Sequence, residues 1–269
     1  MAQGSLRASV LMCHAPIVIP ALGRADTAQC LATTAAMAEA ASRLAASGAE
    51  RVVVLSPHAP RPARAYGHYD GKALYGDFGR FGEPQLAARF EGDPMTIAAV
   101  RAEAAGEGLA LEGLAGGLDH GALVPLWFLR EAGWLGKVSV FGFPWEPAPG
   151  DHRAFGGAIR RALDGLGAPW ALLASGDCSH RLRPGSPSGY DPRAHAFDRD
   201  LAEGVREGRE ADLPRELSPL RSLAAEDVID SLEIAMGAIG EPREGRAFLS
   251  YEGPFGVGYL VAVLQEGRP

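Results

Sequence analysis

Short apolar runs alternate with longer amphipathic stretches along most of this chain, and the two patterns predict different elements. Residues 7–13 are apolar enough for a buried strand, and Arg51 to Ser56, Val138 to Phe143 and Trp170 to Ser175 repeat the pattern. Between the first two runs, Asp26-Thr27 offers a helix cap, and Leu31, Ala35, Ala38 and Ala41 share a side. That spacing predicts a helix running to Ser47 and ended by Gly48. Strand, helix and strand in this order form a βαβ unit. Residues 61–83 lack a clear period and read as a loop or short hairpin excursion. Residues 84–107 carry helical spacing, interrupted near Gly92-Asp93-Pro94. Further helices are expected over 124–132, 151–166, 194–207 and 225–239, the last with Val228, Leu232, Ala235, Met236 and Ile239 as one apolar stripe. The Pro- and Gly-rich segment 181–192 must be loop, and closing strands are expected near 246–251 and 256–264. No repeat or linker divides the chain. The expectation is a single α/β domain over residues 1–269, with a central, largely parallel but mixed sheet and helices on both faces.

Composition narrows the partners. At 269 residues, 47% hydrophobic and 22% charged, the chain has the make-up of an ordinary globule. Its net charge of −7, with no basic tract, argues against nucleic acid. No apolar run reaches the ~18 residues of a membrane span, and the N-terminal stretch reads as a first strand rather than a signal peptide. Cys13, Cys30 and Cys178 are widely spaced and form no CxxC, so neither a zinc knuckle nor a disulfide framework is expected. They read as buried packing thiols in a reducing cytoplasm.

The histidines carry the chemistry. Of seven, His14, His58 and His180 close apolar runs, and His120 follows the glycine-rich stretch 113–119. Parallel strands deliver their carboxyl ends to one sheet edge, where ligands bind. Imidazole is both the commonest metal ligand and the commonest acid/base at neutral pH. His14 and His58 are the natural pair, because a right-handed crossover makes their strands neighbours. Two His and one carboxylate leave positions open for substrate and oxygen, the arrangement of non-haem Fe(II) oxygenases. The pattern leaves the carboxylate open among Asp119, Asp177, Glu226, Asp227 and Glu252. Glu226 and Asp227 open a helix, where the macrodipole favours an acid in any case, and Glu252, in a Gly-Pro turn, is readable as solvated. His120 and His180 remain for proton transfer or substrate orientation. His68, His152 and His195 are expected at the surface. Arg61, Arg64, Arg181 and Arg183 read as exposed loop arginines, within reach of a substrate carboxylate.

Four motifs in order, His14-Ala15-Pro16, Ser56-Pro57-His58, Leu118-Asp119-His120-Gly121-Ala122-Leu123-Val124-Pro125-Leu126 and Ser175-Gly176-Asp177-Cys178-Ser179-His180, resemble the class III extradiol ring-cleavage dioxygenases over nearly the whole chain. The resemblance implies Fe(II), with Zn or Mn as alternatives, bound by His14, His58 and a helix-opening glutamate that matches Glu226 in Ala224-Ala225-Glu226-Asp227. It gives His180 the acid/base role and His120 a contact with substrate or oxygen. The implied substrates are an aromatic diol and O2, and the implied reaction inserts both oxygen atoms as the ring opens. A homo-oligomer is left open. The tail 250–259 and the loop 184–192 are similar to a bacterial branch near the Memo-like group. From that branch comes the alternative of a non-catalytic metal- or ligand-binding protein on the same fold. A metal-dependent hydrolase, with Zn and an activated water, is the other alternative.

Overall fold

In the computed structural model, residues 5–240 and 244–267 are described. Four central strands have apolar residues on both faces and are buried on both. They are Leu6–Met12 (β1), Arg51–Leu55 (β2), Lys137–Gly142 (β7) and Trp170–Ser175 (β8). Such strands belong in the middle of a parallel sheet covered by helices. They run parallel in the order β7-β2-β8-β1. Tyr66–Tyr69 (β3) pairs antiparallel with β7 and parallel with Leu111–Leu114 (β6). On the other side, Tyr259–Glu266 (β10) runs antiparallel to β1 and to Ala247–Glu252 (β9). The full order is β6-β3-β7-β2-β8-β1-β10-β9. The expected α/β fold with a mixed, mostly parallel central sheet is therefore observed. Residues 1–4, 241–243 and 268–269 of the expected domain lie outside the described residues.

Two helix layers cover this sheet. Pro20–Gly23 (α1) and a 3-10 segment precede Leu31–Ala46 (α2), which packs with His120–Glu131 (α4) on one face, over Val52, Val54, Ala171 and Leu173. Pro94–Gly106 (α3), Asp151–Gly165 (α5), Ala194–Glu207 (α6) and Val228–Ile239 (α9) cover the other, over Val53, Leu55, Leu172 and Ala174. Short helices Leu213–Glu216 (α7) and Arg221–Ala224 (α8) link α6 to α9. Alternate residues of β2 thus feed opposite cores, as the period of a strand requires. No helix of the described residues is long and apolar enough to cross a membrane.

One region departs from the expected elements. Residues 84–91 are not helical: Glu83–Glu91 (β5) pairs with Ala73–Phe78 (β4) in a separate two-stranded sheet, and only α3 bears out the helical spacing of 84–107. Leu86, Ala88 and Phe90 recur every second residue, and two such steps span the same four residues as a helical turn. Hairpin pairing decides the outcome, with Leu74 opposite Phe90.

Candidate metal centre

The carboxyl edge of the parallel strands gathers the candidate residues. His14 lies just past β1, His58 just past β2, Asp177 just past β8, and His120 opens α4. The ring of His14 is 4.7 Å from that of His58 and 5.5 Å from that of His120, and the His58 and His120 rings are 4.1 Å apart. One ring nitrogen from each lies within 4.8 Å of the others. His14 is 1% exposed, whereas the His58 side chain is 36% exposed, so the cluster runs from the core to an open side.

Local bonds explain the placement. Asp119 caps α4 by accepting from the Ala122 N–H at 3.1 Å, and it also accepts from Ser56 Oγ (2.5 Å) and Tyr69 Oη (2.9 Å). This pins the end of β2 to the start of α4 and sets His58 beside His120. A Cβ on Gly121 would come within 2.6 Å of Ser56 Oγ, so the approach needs glycine there. Ser175 Oγ donates to the Gly121 carbonyl at 2.6 Å, which leaves it to accept from His14 Nδ1–H at 3.0 Å. That bond fixes the ring with Nε2 turned to the cluster.

Asp227 supplies the nearest carboxylate. Its Oδ1 accepts from the Asp177 N–H at 2.7 Å, and its Oδ2 lies 3.2 Å from His58 Nε2 and 3.5 Å from His14 Nε2. Asp177 Oδ1 in turn accepts from the His14 N–H at 2.9 Å, and its Oδ2 is 3.7 Å from His14 Nε2. A Cβ on Gly176 would sit 2.4 Å from Val228 Cα, so glycine lets the start of α9 come up against the end of β8. Ala225, at φ 52°, makes the left-handed turn before it.

The electrostatics follow from this packing. Burial lowers the pKa of His14, but Asp177 and Asp227 outweigh it and raise the imidazole to about 9. Burial opposes ionisation of Asp227 too, yet His14 and His58 hold it well below the usual carboxylate range. Burial, with His58 and His14 alongside, pushes His120 down to about 3, so it is a neutral imidazole. His14 Nε2 is buried and has no hydrogen-bond partner among the described residues. An orphaned imidazole nitrogen beside a second imidazole and a carboxylate oxygen, with no lysine or arginine paired to Asp177 or Asp227 among the described residues, fits a divalent cation.

The remaining sequence candidates sit as follows. Glu226 is not brought to the histidines. Its Oε1 accepts from Arg221 Nε at 2.5 Å and its Oε2 from the Ile229 N–H at 2.8 Å, capping α9. A turn directs neighbouring side chains apart, so Asp227 faces the cluster and Glu226 faces away. Glu252 is not solvated: it accepts from Thr33 N–H and Oγ1 at 2.7 and 2.6 Å, at the start of α2. The His180 N–H donates to the Ala224 carbonyl at 2.9 Å, and its Nδ1 is buried without a partner among the described residues. His68 and His152 are buried rather than superficial. His152 Nδ1 is 2.8 Å from Tyr66 Oη, and His68 Nε2 is 2.6 Å from Arg101. His195 is exposed, as expected, and all three cysteines are buried and free.

A cleft of 490 Å³ opens beside the cluster, between the β4–β5 hairpin and residues 115–120. His58 and His120 form its inner end, and Tyr75, Arg80 and Phe81 of the hairpin face them. The Phe81 ring stands edge-on to His120 at 5.4 Å. Sequence reasoning allowed a short hairpin in 61–83 but missed its second strand, and with it this wall, because residues 84–91 also fit a helical spacing.

Comparison with known proteins places these features. A solved structure of an uncharacterized protein of Escherichia coli K12, JW3007, superposes with a TM-score of 0.57 at 17% identity, over 96% of this chain and 98% of that one, and so shares the fold. Protein CA_C1420 of Clostridium acetobutylicum is 27% identical across 97% of this chain, which spans 58% of its length. The family model for the catalytic LigB subunit of aromatic ring-opening dioxygenase matches residues 8–262, and the chain belongs to that family.

Proposed function

We propose that this protein is a metal-dependent extradiol dioxygenase acting on a catecholic substrate. Its Fe(II) would be held by His14, His58 and Asp227. The observation that carries the reading is the buried Nε2 of His14, which has no hydrogen-bond partner among the described residues, fixed by Ser175 and turned toward His58 and Oδ2 of Asp227. When bound, Fe(II) supplies a Lewis acid with open positions for a diol and O2.

The chain's own groups then have distinct work. The carboxylate of Asp227 helps offset the 2+ charge, and the Ser175 contact orients His14. Neutral His120, at the inner end of the cleft, accepts a hydrogen bond or a proton from the diol. His180, with an unengaged Nδ1, moves the second proton. Both atoms of O2 enter the product, and the ring carbon–carbon bond beside the diol breaks to give an aldehyde and a carboxylate. The three buried thiols suit a reducing cytoplasm.

The convergence of three imidazoles favours one rival, a three-histidine Zn site in a hydrolase. Oxygen uptake with catechol by anaerobically loaded protein tests the proposal against it. Fe(II)-loaded protein should consume one O2 per catechol, and Zn-loaded protein none. His120→Ala should keep stoichiometric Fe(II), and His180→Ala should keep it while ring opening slows by roughly 10²–10⁴-fold. Loss of metal in His120→Ala, with no oxygen uptake by the Fe(II) form of the native chain, would favour the hydrolase.

A further inference from the structure

From the end of β8 to His180 the chain has no regular structure, yet each main-chain N–H on the way is bonded to another part of the fold. The Gly176 N–H donates to the Met12 carbonyl at 3.1 Å, Cys178 to the Gly258 carbonyl at 2.8 Å, and His180 to the Ala224 carbonyl at 2.9 Å. Two carboxylates take the others: Asp227 accepts from Asp177 at 2.7 Å, and Asp198 Oδ1 from Ser179 at 2.8 Å. Asp227 faces the histidines, whereas the metal reading gives Asp198 no role. Asp198 lies on α6, is 1% exposed, and is paired with no lysine or arginine among the described residues. Its Oδ2 accepts from Tyr251 Oη of β9 at 2.6 Å. A Cβ on Gly258 would come within 2.0 Å of that oxygen, so the carboxyl reaches this depth only against glycine. Burial raises Asp198 to about 6 against the pull of Tyr251 and of the Ser179 N–H, which leaves it ionised at neutral pH with both oxygens accepting. Burying a carboxylate away from any cation is costly, and here its two oxygens tie α6 and β9 to the loop that ends in His180.

We propose that Asp198, backed by Tyr251, is a positioning residue for proton transfer: its hold on the Ser179 N–H sets the main chain from which the His180 ring projects. The inference rests on the ring-cleavage reading for the use made of His180. His14 has Ser175 to fix its ring, but the Nδ1 of His180 is buried without a hydrogen-bond partner among the described residues. The direction of the His180 ring therefore depends on the main chain beneath it. The same loop is bonded through Asp177 to Asp227, so a shift at Ser179 moves the proton carrier relative to the metal-facing carboxylate. A displacement of about 1 Å at such a group can cost on the order of 10²-fold in rate.

Asp198→Ala, Asp198→Asn and Tyr251→Phe test this, with Asp200→Asn, a partly exposed acid of the same helix paired to Arg199, as control. Iron content and steady-state oxygen uptake with catechol are measured on anaerobically loaded protein, and amide hydrogen exchange over 176–182 by mass spectrometry on metal-free protein. Asp198→Ala should keep its iron and a KM within about threefold of the native chain, while kcat falls by roughly 10–100-fold. Exchange over 176–182 should quicken by about tenfold in the same variant, as a charge-assisted bond is lost. Asp198→Asn keeps an acceptor for Ser179 and a donor for Tyr251 Oη, so its kcat should return to within about threefold of native. Tyr251→Phe, which leaves the Ser179 bond in place, should lower kcat by roughly threefold, and it carries the test if Asp198→Ala does not fold. Asp200→Asn should change neither rate nor exchange. A native kcat in Asp198→Ala or, where that variant does not fold, in Tyr251→Phe overturns the assignment, as does a loss that appears only in KM or in the denaturation midpoint. An Asp198→Asn as slow as Asp198→Ala overturns it too, because charge and not the tether would then be the cause. If the native chain takes up no oxygen with catechol while exchange still depends on Asp198, the tether on His180 stands and the ring-cleavage reading falls.

Discussion

Glu226 and Asp227 are adjacent in the chain but belong to two different charge networks. Glu226 faces Arg221, which also donates to Asp230 at 2.6 Å, and Asp230 is approached by Arg61 at 3.4 Å and His152 at 3.6 Å. Two arginines answer two carboxylates there. Burial pushes Glu226 up against the pull of Arg221, while His152 and Arg221 overcome burial to hold Asp230 well below the usual carboxylate range. Across the turn, Asp227 and Asp177 pair with imidazoles and with no lysine or arginine among the described residues, and the two carboxylates outweigh burial to raise the deepest imidazole to about 9. The first network is complete within the protein. The second lacks a positive charge, and a proton or a metal must supply it. Burial and acidity look alike on the two sides, so the identity of the counter-charge is what marks a binding site.

The largest effect should come from exchanging the two carboxylates. Asp227→Asn should lower Fe(II) affinity by more than about 100-fold, since loss of even an outer partner of a metal ligand costs 10–100-fold. Glu226→Gln should keep stoichiometric metal, with affinity within about tenfold of the native chain. Elemental analysis after anaerobic loading and desalting distinguishes them. If Glu226→Gln is the variant that loses iron, the turn at Ala225 takes another form in the loaded protein and the contrast collapses.

That pair also shows where the sequence stops being informative. β1, β2, β7 and β8 were legible because strands buried on both faces must be apolar throughout, and their ends announce a sheet edge. His14 and His58 were legible as strand ends, although β8 lies between their strands, which are not the neighbours the crossover argument expects; His120 was legible only as the residue that follows the glycine-rich stretch. Which of Glu226 and Asp227 points to that edge depends on a left-handed alanine and on Arg221, and no periodicity records either. His152 and His68 were misread because their partners, Tyr66 and Arg101, lie on other elements. A polar residue becomes a core residue only when the fold supplies its partner. A hairpin within 61–83 was one of the two readings of that segment, but its second strand was taken for helix because a two-residue period over Leu86 to Phe90 also fits a helical turn.

The second prediction asks whether the arginine network holds the fold rather than the metal. Arg221→Met leaves the buried carboxylate of Glu226 without its counter-charge, and breaking such a pair typically costs about 3–5 kcal/mol. In the other network, His58→Ala removes a partly exposed side chain, and in metal-free protein it should cost no more than about 1 kcal/mol. Chemical denaturation of both variants without metal gives the comparison. Equal losses would mean that the two networks are alike in kind, and that the imidazole cluster is also a structural element.

The smallest effect is the most direct reading of the missing charge. In metal-free protein His14 is raised from 6.5 to about 9, so the folded chain holds a proton in that window that the unfolded chain has released. Stability from this group is therefore fully present below about pH 6.5 and is lost as pH rises through about 9, by at most about 3.5 kcal/mol in total. A bound metal takes the place of that proton on Nε2, so the decline across this window should vanish in metal-saturated protein. His14→Gln, which cannot take up the proton, should show no such decline with or without metal. Denaturation midpoints at intervals from pH 6 to 9.5 would follow both forms. A decline that persists after metal saturation would mean that the ion binds elsewhere, and a flat metal-free profile would mean that His14 is not the group that answers Asp177 and Asp227.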